Sequence, residues 1–193
     1  MAGGRKRLML RNEHWTETKA RADRYMMAVK QALGMHLFRI GTMHEDACEA
    51  TDLRFVSCGD VRVSVRVREH DNVLLSEFLG PNGKPSTRLR DVTFRSARRF
   101  NETEVYKIFV QGLASHYFYG FASESGDDLH SYIILDLEKM RRLGYFADGS
   151  DGRGSVVCTK PNRDGSSSFV AIDTLFLPDS VIVGCSDNHP RRR

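Results

Sequence analysis

Two groups of charged residues in the first third of the chain have the types and spacing that could support chemistry. Carboxylates are concentrated in residues 43–52, where Glu45, Glu49 and Asp52 precede a short apolar run. Arginines alternate with valines just downstream, in residues 61–68. Acidic side chains that converge beside a sheet usually have a functional reason, and arginines pair with phosphate or carboxylate groups.

The alternation in residues 61–68 has an unbroken period of two, which predicts a strand with valines on one face and arginines on the other. Side chains on one face of a strand lie about 6.6–6.8 Å apart, so neighbouring arginines repel one another unless anions face them. Those anions could be nucleic-acid phosphates or the nearby carboxylates, in a structural salt-bridge lattice. We favour phosphate, and the predicted nucleic-acid-binding residues are Arg62, Arg66, Arg68 and Arg95. Tyr117, Phe118 and Tyr119 could add stacking surfaces, although aromatics in a strand are more often part of the core.

Hydrophobic periodicity sets the elements that would position these residues. The predicted order is helix 13–33, strands 53–56, 61–68 and 91–96, helix 101–112 and strand 116–121, followed by a β-rich C-terminal extension. This order predicts an α/β fold in which helices flank a mixed central sheet. Asn101 and Glu104 have the spacing of a helix-capping pair.

The length of 193 residues and the charge distribution bound the domain organisation and the class of protein. We predict a flexible basic arm at 1–12, one domain at 13–186 (core 13–122, extension 123–186) and a basic tail at 187–193. Six positive charges lie at the two ends, so removing them from the net +4 leaves about −2 on the rest of the chain. Charge alone therefore does not identify a nucleic-acid-binding protein.

Targeting and redox features favour a cytoplasmic protein that does not enter a membrane. No apolar run approaches the roughly 18 residues that span a bilayer, and no apolar segment follows the basic N-terminus as in a secretory signal. The four cysteines are widely spaced and form no C-x-x-C pair, which is typical of free thiols in a reducing compartment.

The α-β-β-β-α-β order of residues 13–122 resembles the core of the PD-(D/E)XK nuclease superfamily, the restriction-endonuclease-like fold. The pattern Thr103-Glu-x-x-Lys107, followed by Tyr119-Gly-Phe121, is also similar to phage proteins of this kind. The resemblance implies that acidic residues hold one or two Mg²⁺ ions, which activate a water and neutralise charge on the phosphate.

The implied metal ligands are Glu45, Glu49 and Asp52, and the implied catalytic residues are Asp52, Glu49, Arg66 and Lys107. The chain departs from the family pattern where a (D/E)-x-K motif is expected, because it has Ser64-Val-Arg66 and Arg66-Val-Arg68. Arginine cannot act as a base and lacks the compact ammonium of lysine, so Lys107 is considered as a migrated lysine.

Each of these residues also has a structural interpretation. Asp52 could terminate a strand, Glu45, Asp46 and Glu49 could form a solvated acidic stretch, and Lys107 could pair with Glu104 on a helix surface. The sequence thus predicts a nucleic-acid-processing protein that acts on DNA or RNA, with Mg²⁺-dependent phosphodiester hydrolysis if it is active and binding alone if it is not. The alternative is a small phage-type accessory factor that binds another protein.

Overall fold

The computed structural model describes residues 16, 19–20, 23–34, 38–55, 61–69, 91–98, 103–147, 157–161 and 167–192. Within those ranges the strands are β1 (Phe38–Ile40), β2 (Leu53–Phe55), β3 (Arg62–Arg68), β4 (Asp91–Arg98), β5 (His116–Ala122), β6 (Leu129–Asp136), β7 (Val157–Pro161), β8 (Ser167–Asp173) and β9 (Ile182–Cys185). The helices are α1 (Met26–Leu33), α2 (Met43–Glu49), a π-helix (Tyr106–Val110) and α3 (Leu137–Arg142), with 3₁₀ turns at Thr174–Phe176, Asp179–Val181 and Pro190–Arg192. The predicted arm at 1–12 lies outside the described residues.

The described strands form two sheets. The larger sheet has six strands in the order β1-β2-β3-β5-β6-β9, and the smaller has three in the order β4-β8-β7. Strands β3 and β5 are parallel, while the other pairs in the larger sheet are antiparallel. The fold is therefore α/β with a mixed central sheet and further strands towards the C-terminus, as predicted.

The third predicted strand, β4, forms but does not join the central sheet. It pairs antiparallel with β8, from Asp91 opposite Asp173 to Arg98 opposite Ser167. The parallel neighbour of β3 is instead β5, with Val65 opposite Phe118 and Arg66 opposite Tyr119. Parallel strands need a long crossover connection, and β4 together with the π-helix supplies it.

The alternation in β3 separates two hydrophobic cores. Val63 lies on one face with Met26 and Val29 of α1 and with Phe118. The larger core lies on the opposite face and includes Tyr117 and Tyr119 of β5, beside Ser64 and Arg66 in register on β3. Complete burial of a valine or leucine contributes about 1.5–3 kcal/mol, so each face of the central sheet has its own source of stability.

Specific local residues fix the ends of three helices. Helix α1 ends at Gly34, whose φ of 92° is readily accessible only to glycine. Thr42 and Glu45 form a capping box at the start of α2. Asp136 caps α3 by accepting a hydrogen bond from the backbone N–H of Lys139 at 2.9 Å.

The helix predicted at 101–112 forms as a single α-type turn at 104–105 that continues into the π-helix. The backbone N–H of Gln111 donates to the carbonyl of Tyr106, which is the wide i to i+5 pattern. The guanidinium of Arg141 donates to the carbonyls of Ile108 at 2.9 Å and Ala114 at 3.0 Å. These bonds fix the end of the π-helix against α3.

The predicted basic tail is packed against the domain at its last described residues. His189 is 1% exposed. Nη2 of Arg191 lies 2.6 Å from Oδ1 of Asp179 and donates to the carbonyl of Leu177 at 2.5 Å. Arg191 is therefore not a free tail charge, and its interactions are local and structural. Among the described helices, none is long and apolar enough to cross a bilayer.

Candidate functional site

The first two predicted metal ligands, Glu45 and Glu49, lie on α2 and face Arg54 of β2. Oε1 of Glu45 lies 3.1 Å from Nε of Arg54, and Oε2 of Glu49 lies 3.6 Å from Nη2. Glu45 also completes the capping box by accepting from the backbone N–H of Thr42 at 2.8 Å. We call these three residues, Glu45, Glu49 and Arg54, the outer acid corner.

A sharp turn after α2 brings Asp52 to the start of β2. Ala50 closes the helix in the left-handed region at a φ of 51°. The chain then passes so close to Gly41 that an added Cβ there would lie 2.3 Å from the carbonyl oxygen of Thr51. The backbone N–H of Asp52 donates to the carbonyl of Val63 at 2.9 Å. The position of Asp52 is therefore fixed by the backbone on both sides.

The carboxylate of Asp52 turns along β3 and accepts a 2.5 Å hydrogen bond from the backbone N–H of Val65. Burial raises the pKa of Asp52 to about 7, against the lowering effect of the Val65 hydrogen bond. The negative charges of Asp46 and Glu104 raise the pKa further, and the positive charge of Lys19 lowers it. Asp52 thus exchanges a proton near neutral pH, because the cations around it do not fully compensate its charge.

Arg66, the residue after Val65, forms an ion pair with Glu104. Nη2 of Arg66 lies 3.0 Å from Oε2 of Glu104, and each side chain is 16% exposed. Burial alone would lower the pKa of Arg66, but Glu104, Tyr117, Tyr119 and Asp52 outweigh it and the pKa is raised. Arg66 remains a cation. We call Asp52, Arg66 and Glu104 the inner centre.

Glu104 has hydrogen-bond partners in addition to Arg66. Oε2 accepts from the backbone N–H of Arg95 at 2.9 Å. The hydroxyl of Tyr117 lies 3.1 Å from Oε1 of Glu104 and 3.0 Å from the carbonyl of Thr93. Burial and the charge of Glu104 raise the pKa of Tyr117 well above its ordinary value, so the phenol stays protonated and donates. The carboxylate therefore has a fixed orientation between the two sheets.

The predicted ligand set of Glu45, Glu49 and Asp52 does not form. In the part of the chain that the structure describes, no three or more histidine, cysteine, aspartate or glutamate residues converge as a metal-binding group. Arg54 engages both glutamates of the outer acid corner, whereas Asp52 turns towards β3. The acids are neighbours in sequence but have different partners in the fold.

The predicted catalytic lysine also lies elsewhere. Nζ of Lys107 donates to the backbone carbonyl of Ala47 on α2, which ties the π-helix to that helix. Glu49 belongs to the outer acid corner, so two of the four predicted catalytic residues, Asp52 and Arg66, are in the inner centre.

The predicted phosphate-binding arginines are not one open row. The guanidinium carbons of Arg66 and Arg95 lie 5.3 Å and 5.5 Å from the ring centroid of Phe169, between the two sheets. The backbone N–H of Arg62 donates to the hydroxyl of Ser115 at 2.9 Å. Arg68 lies opposite Phe121 of β5. Arg66 in particular belongs to the interior lattice of carboxylate and arginine rather than to a phosphate-binding surface.

The proposed stacking surface of Tyr117, Phe118 and Tyr119 is also wrong, because these rings are at most 2% exposed. Phe118 packs in the core beside α1, and both tyrosines pack in the core between the sheets. A nucleic-acid base would need an accessible ring face. Tyr117 instead contacts Glu104 of the inner centre, and Tyr119 lies opposite Arg66.

Glu104 and Lys19 are the residues of this site that the sequence prediction missed. Glu104 was interpreted as a helix cap, but it precedes the buried Ile108 by four residues and so lies on the apolar face of the helix. A carboxylate on that face was a usable signal. Lys19 carried no such signal, because only the packing of the N-terminal helical residues against α2 brings it near Asp52.

No protein-family model, curated protein or solved structure matches this chain.

Proposed function

We propose that this chain processes nucleic acid by hydrolysing phosphodiester bonds, and that the inner centre is its catalytic site. The observation that carries the proposal is the half-buried carboxylate of Asp52, which the Val65 N–H holds while the charges of Asp46 and Glu104 help to raise its pKa to about 7. Perturbed groups of this kind concentrate at functional sites. A cation bound next to Asp52 would supply the compensation that the protein's own residues leave incomplete.

The donor set fits a magnesium ion held by two carboxylates. Mg²⁺ usually keeps several waters and takes one or two protein carboxylates together with substrate phosphates. Asp52 and Glu104 would be those carboxylates, since the charge of Glu104 acts on Asp52 and both charges act on Arg66. When bound, Mg²⁺ lowers the pKa of a coordinated water and neutralises charge on the phosphate.

The charge balance of the surroundings supports the same ligand. In the described part of the chain, Asp46, Glu104 and Lys19 act electrostatically on Asp52, and Glu104 and Asp52 act on Arg66. With Asp52 ionised, this set has three negative and two positive charges. Protonation of Asp52 or binding of a cation removes the excess negative charge. A phosphate would be repelled from the ionised set, so cation and substrate should bind together.

The other residues of the centre keep the two carboxylates in position. The Val65 N–H holds Asp52, and Arg66 together with the Arg95 N–H holds one oxygen of Glu104. Such supporting hydrogen bonds fix the direction of ligand lone pairs, and their loss typically costs about 10–100-fold in affinity or activity. Arg66 therefore acts as a positioning residue for Glu104.

Cleavage assays with end-labelled single- and double-stranded DNA and RNA test the proposal. We expect hydrolysis of at least one substrate with Mg²⁺ or Mn²⁺ and none with EDTA. Asp52→Asn should abolish it, because asparagine keeps the acceptor for the Val65 N–H but not the charge. If the wild-type protein binds these substrates but cleaves none, the chain is a binding module and hydrolysis is the wrong assignment. If it neither binds nor cleaves them, the whole proposal is wrong.

A further inference from the structure

Lys19 carries an ammonium that two carboxylates share at the edge of the inner centre. Its Nζ lies 3.4 Å from Oδ1 of Asp23, one helical turn along the chain, and 3.4 Å from Oδ2 of Asp46 on α2. The side chain is 33% exposed. Burial lowers the pKa of Lys19, but the two aspartates outweigh it and the pKa is raised. Lys19 is therefore a solvent-accessible cation at neutral pH.

The contacts of Lys19 differ from those of the cations predicted to serve this site. Arg66 is paired with Glu104 at 3.0 Å with both side chains largely buried, and Lys107 donates to a backbone carbonyl. Both contacts of Lys19 are long and reach side chains on two different elements. An ammonium on a flexible four-carbon stem has three rotatable donors. It can exchange one aspartate for another anion without disturbing the fold.

The position of Lys19 links it to the inner centre. Asp46, its partner on α2, is among the charges that act on Asp52, and so is Lys19 itself. Lys19 therefore lies within electrostatic range of the carboxylate that the proposed function makes central. The ammonium of Lys19 attracts anions, whereas the negative charge of its partner Asp46 disfavours a second anion at the same place.

We propose that Lys19 is the residue through which the site binds a substrate phosphate, and that Asp46 competes with that phosphate for the ammonium. This inference rests on the proposed function and deepens it by assigning the phosphate contact to a residue that precedes α1. Removing each partner in turn distinguishes phosphate binding from a structural salt bridge. If Lys19 and Asp46 form only a salt bridge, removing either one loses the same interaction. If Asp46 competes with phosphate, removing Lys19 weakens nucleic-acid binding, whereas removing the charge of Asp46 strengthens it.

Fluorescence anisotropy with a labelled oligonucleotide measures these effects, with Ca²⁺ in place of Mg²⁺ and salt varied from about 50 to 200 mM. Lys19→Ala should weaken binding about eightfold near 0.1 M salt and reduce the slope of log K against log salt by about 1, as expected for one phosphate contact. Lys19→Arg should retain most of the affinity. Asp46→Asn should strengthen binding severalfold.

Lys139→Ala is the matched control, because Lys139 also forms a surface pair, 3.1 Å from Asp136, with 51% of its side chain exposed. It should leave the affinity and the slope unchanged. Thermal unfolding of each variant verifies that it is folded at the assay temperature.

The outcomes separate this inference from the function on which it rests. If the wild type binds and cleaves but Lys19→Ala keeps its affinity and slope, Lys19 does not contact phosphate and the inference is overturned alone. The same conclusion follows if Asp46→Asn weakens binding as much as Lys19→Ala does. If the wild type neither binds nor cleaves any oligonucleotide, the proposed function itself has failed.

Discussion

The outer acid corner and the inner centre each contain two carboxylates and one arginine but differ in how their charges are compensated. In the outer acid corner, Arg54 faces both Glu45 and Glu49, and the three side chains are 33%, 10% and 30% exposed, respectively. In the inner centre, Arg66 pairs with Glu104. Asp52 accepts a hydrogen bond from the Val65 N–H and has a pKa raised to about 7.

This difference shows that a count of acids does not locate a site. The carboxylates of the outer acid corner face a partly exposed arginine, where solvent screens the remaining charge and leaves little to gain from a metal. A carboxylate that is removed from solvent and has other acids nearby is costly to ionise, so a bound cation would stabilise it. The functional candidate is therefore the residue whose environment is worst compensated, even though it has fewer charged partners than its neighbours in the sequence.

The largest expected effect on stability comes from breaking the buried pair of the inner centre. Arg66→Met leaves the carboxylate of Glu104 without its cation, which should lower the free energy of unfolding by about 3 kcal/mol. Arg142→Met removes an arginine from the exposed pair with Glu138 and should change stability by no more than about 0.5 kcal/mol. Urea unfolding of both variants measures the difference. Equal stabilities would show that the inner pair is energetically no different from a surface pair.

A smaller effect, specific to Asp52, should appear as a pH dependence. The pKa of Asp52 is raised from 3.8 to about 7 in the folded protein, so the folded state binds a proton more tightly than the unfolded state between these values. The contribution of Asp52 to stability is complete below about pH 4 and is lost as pH rises through 7.

Urea unfolding in EDTA between pH 4 and 8 tests that sign. The stability of the wild type relative to Asp52→Asn should fall with rising pH by up to about 1.4 kcal/mol per pH unit. Asparagine keeps the acceptor for the Val65 N–H, so the comparison isolates the titration. A difference that is flat or that rises with pH would mean that Asp52 is ionised at little cost.

The smallest effect should come from the outer acid corner. Glu49→Gln removes a charge 3.6 Å from Arg54, with both side chains about one-third exposed. Partly exposed ion pairs contribute about 0–1 kcal/mol, so thermal unfolding should show a change of at most about 0.5 kcal/mol. A loss as large as that of Arg66→Met would remove the distinction between the two regions.

Local patterns in the sequence predicted most of the elements. The alternation in residues 61–68 specifies a strand through nearest neighbours, and this prediction is confirmed by β3. The second sheet could not be predicted in this way. Strand β4 pairs with β8, more than seventy residues later in places, and the periodicity of a strand does not encode its partner.

The site was predictable to a similar degree. Asp52 directly precedes the strand predicted at 53–56, and the structure places it immediately before β2. Its separation from Glu45 and Glu49 depends on the left-handed turn at Ala50, a conformation uncommon outside glycine and not signalled by alanine. Glu104 joins Asp52 only through the crossover from β3 to β5, which is a tertiary feature.

Metal-dependent cleavage by two charge-neutralising variants tests the central claim most directly. Asp52→Asn and Glu49→Gln each remove one carboxylate, three residues apart in the sequence, from the inner centre and from the outer acid corner. With Mg²⁺ or Mn²⁺ and the best cleaved oligonucleotide, we expect Asp52→Asn to lose at least about a hundredfold in rate and Glu49→Gln to match the wild type within about twofold. Equal losses in the two variants, or an active Asp52→Asn protein, would contradict the assignment of the inner centre.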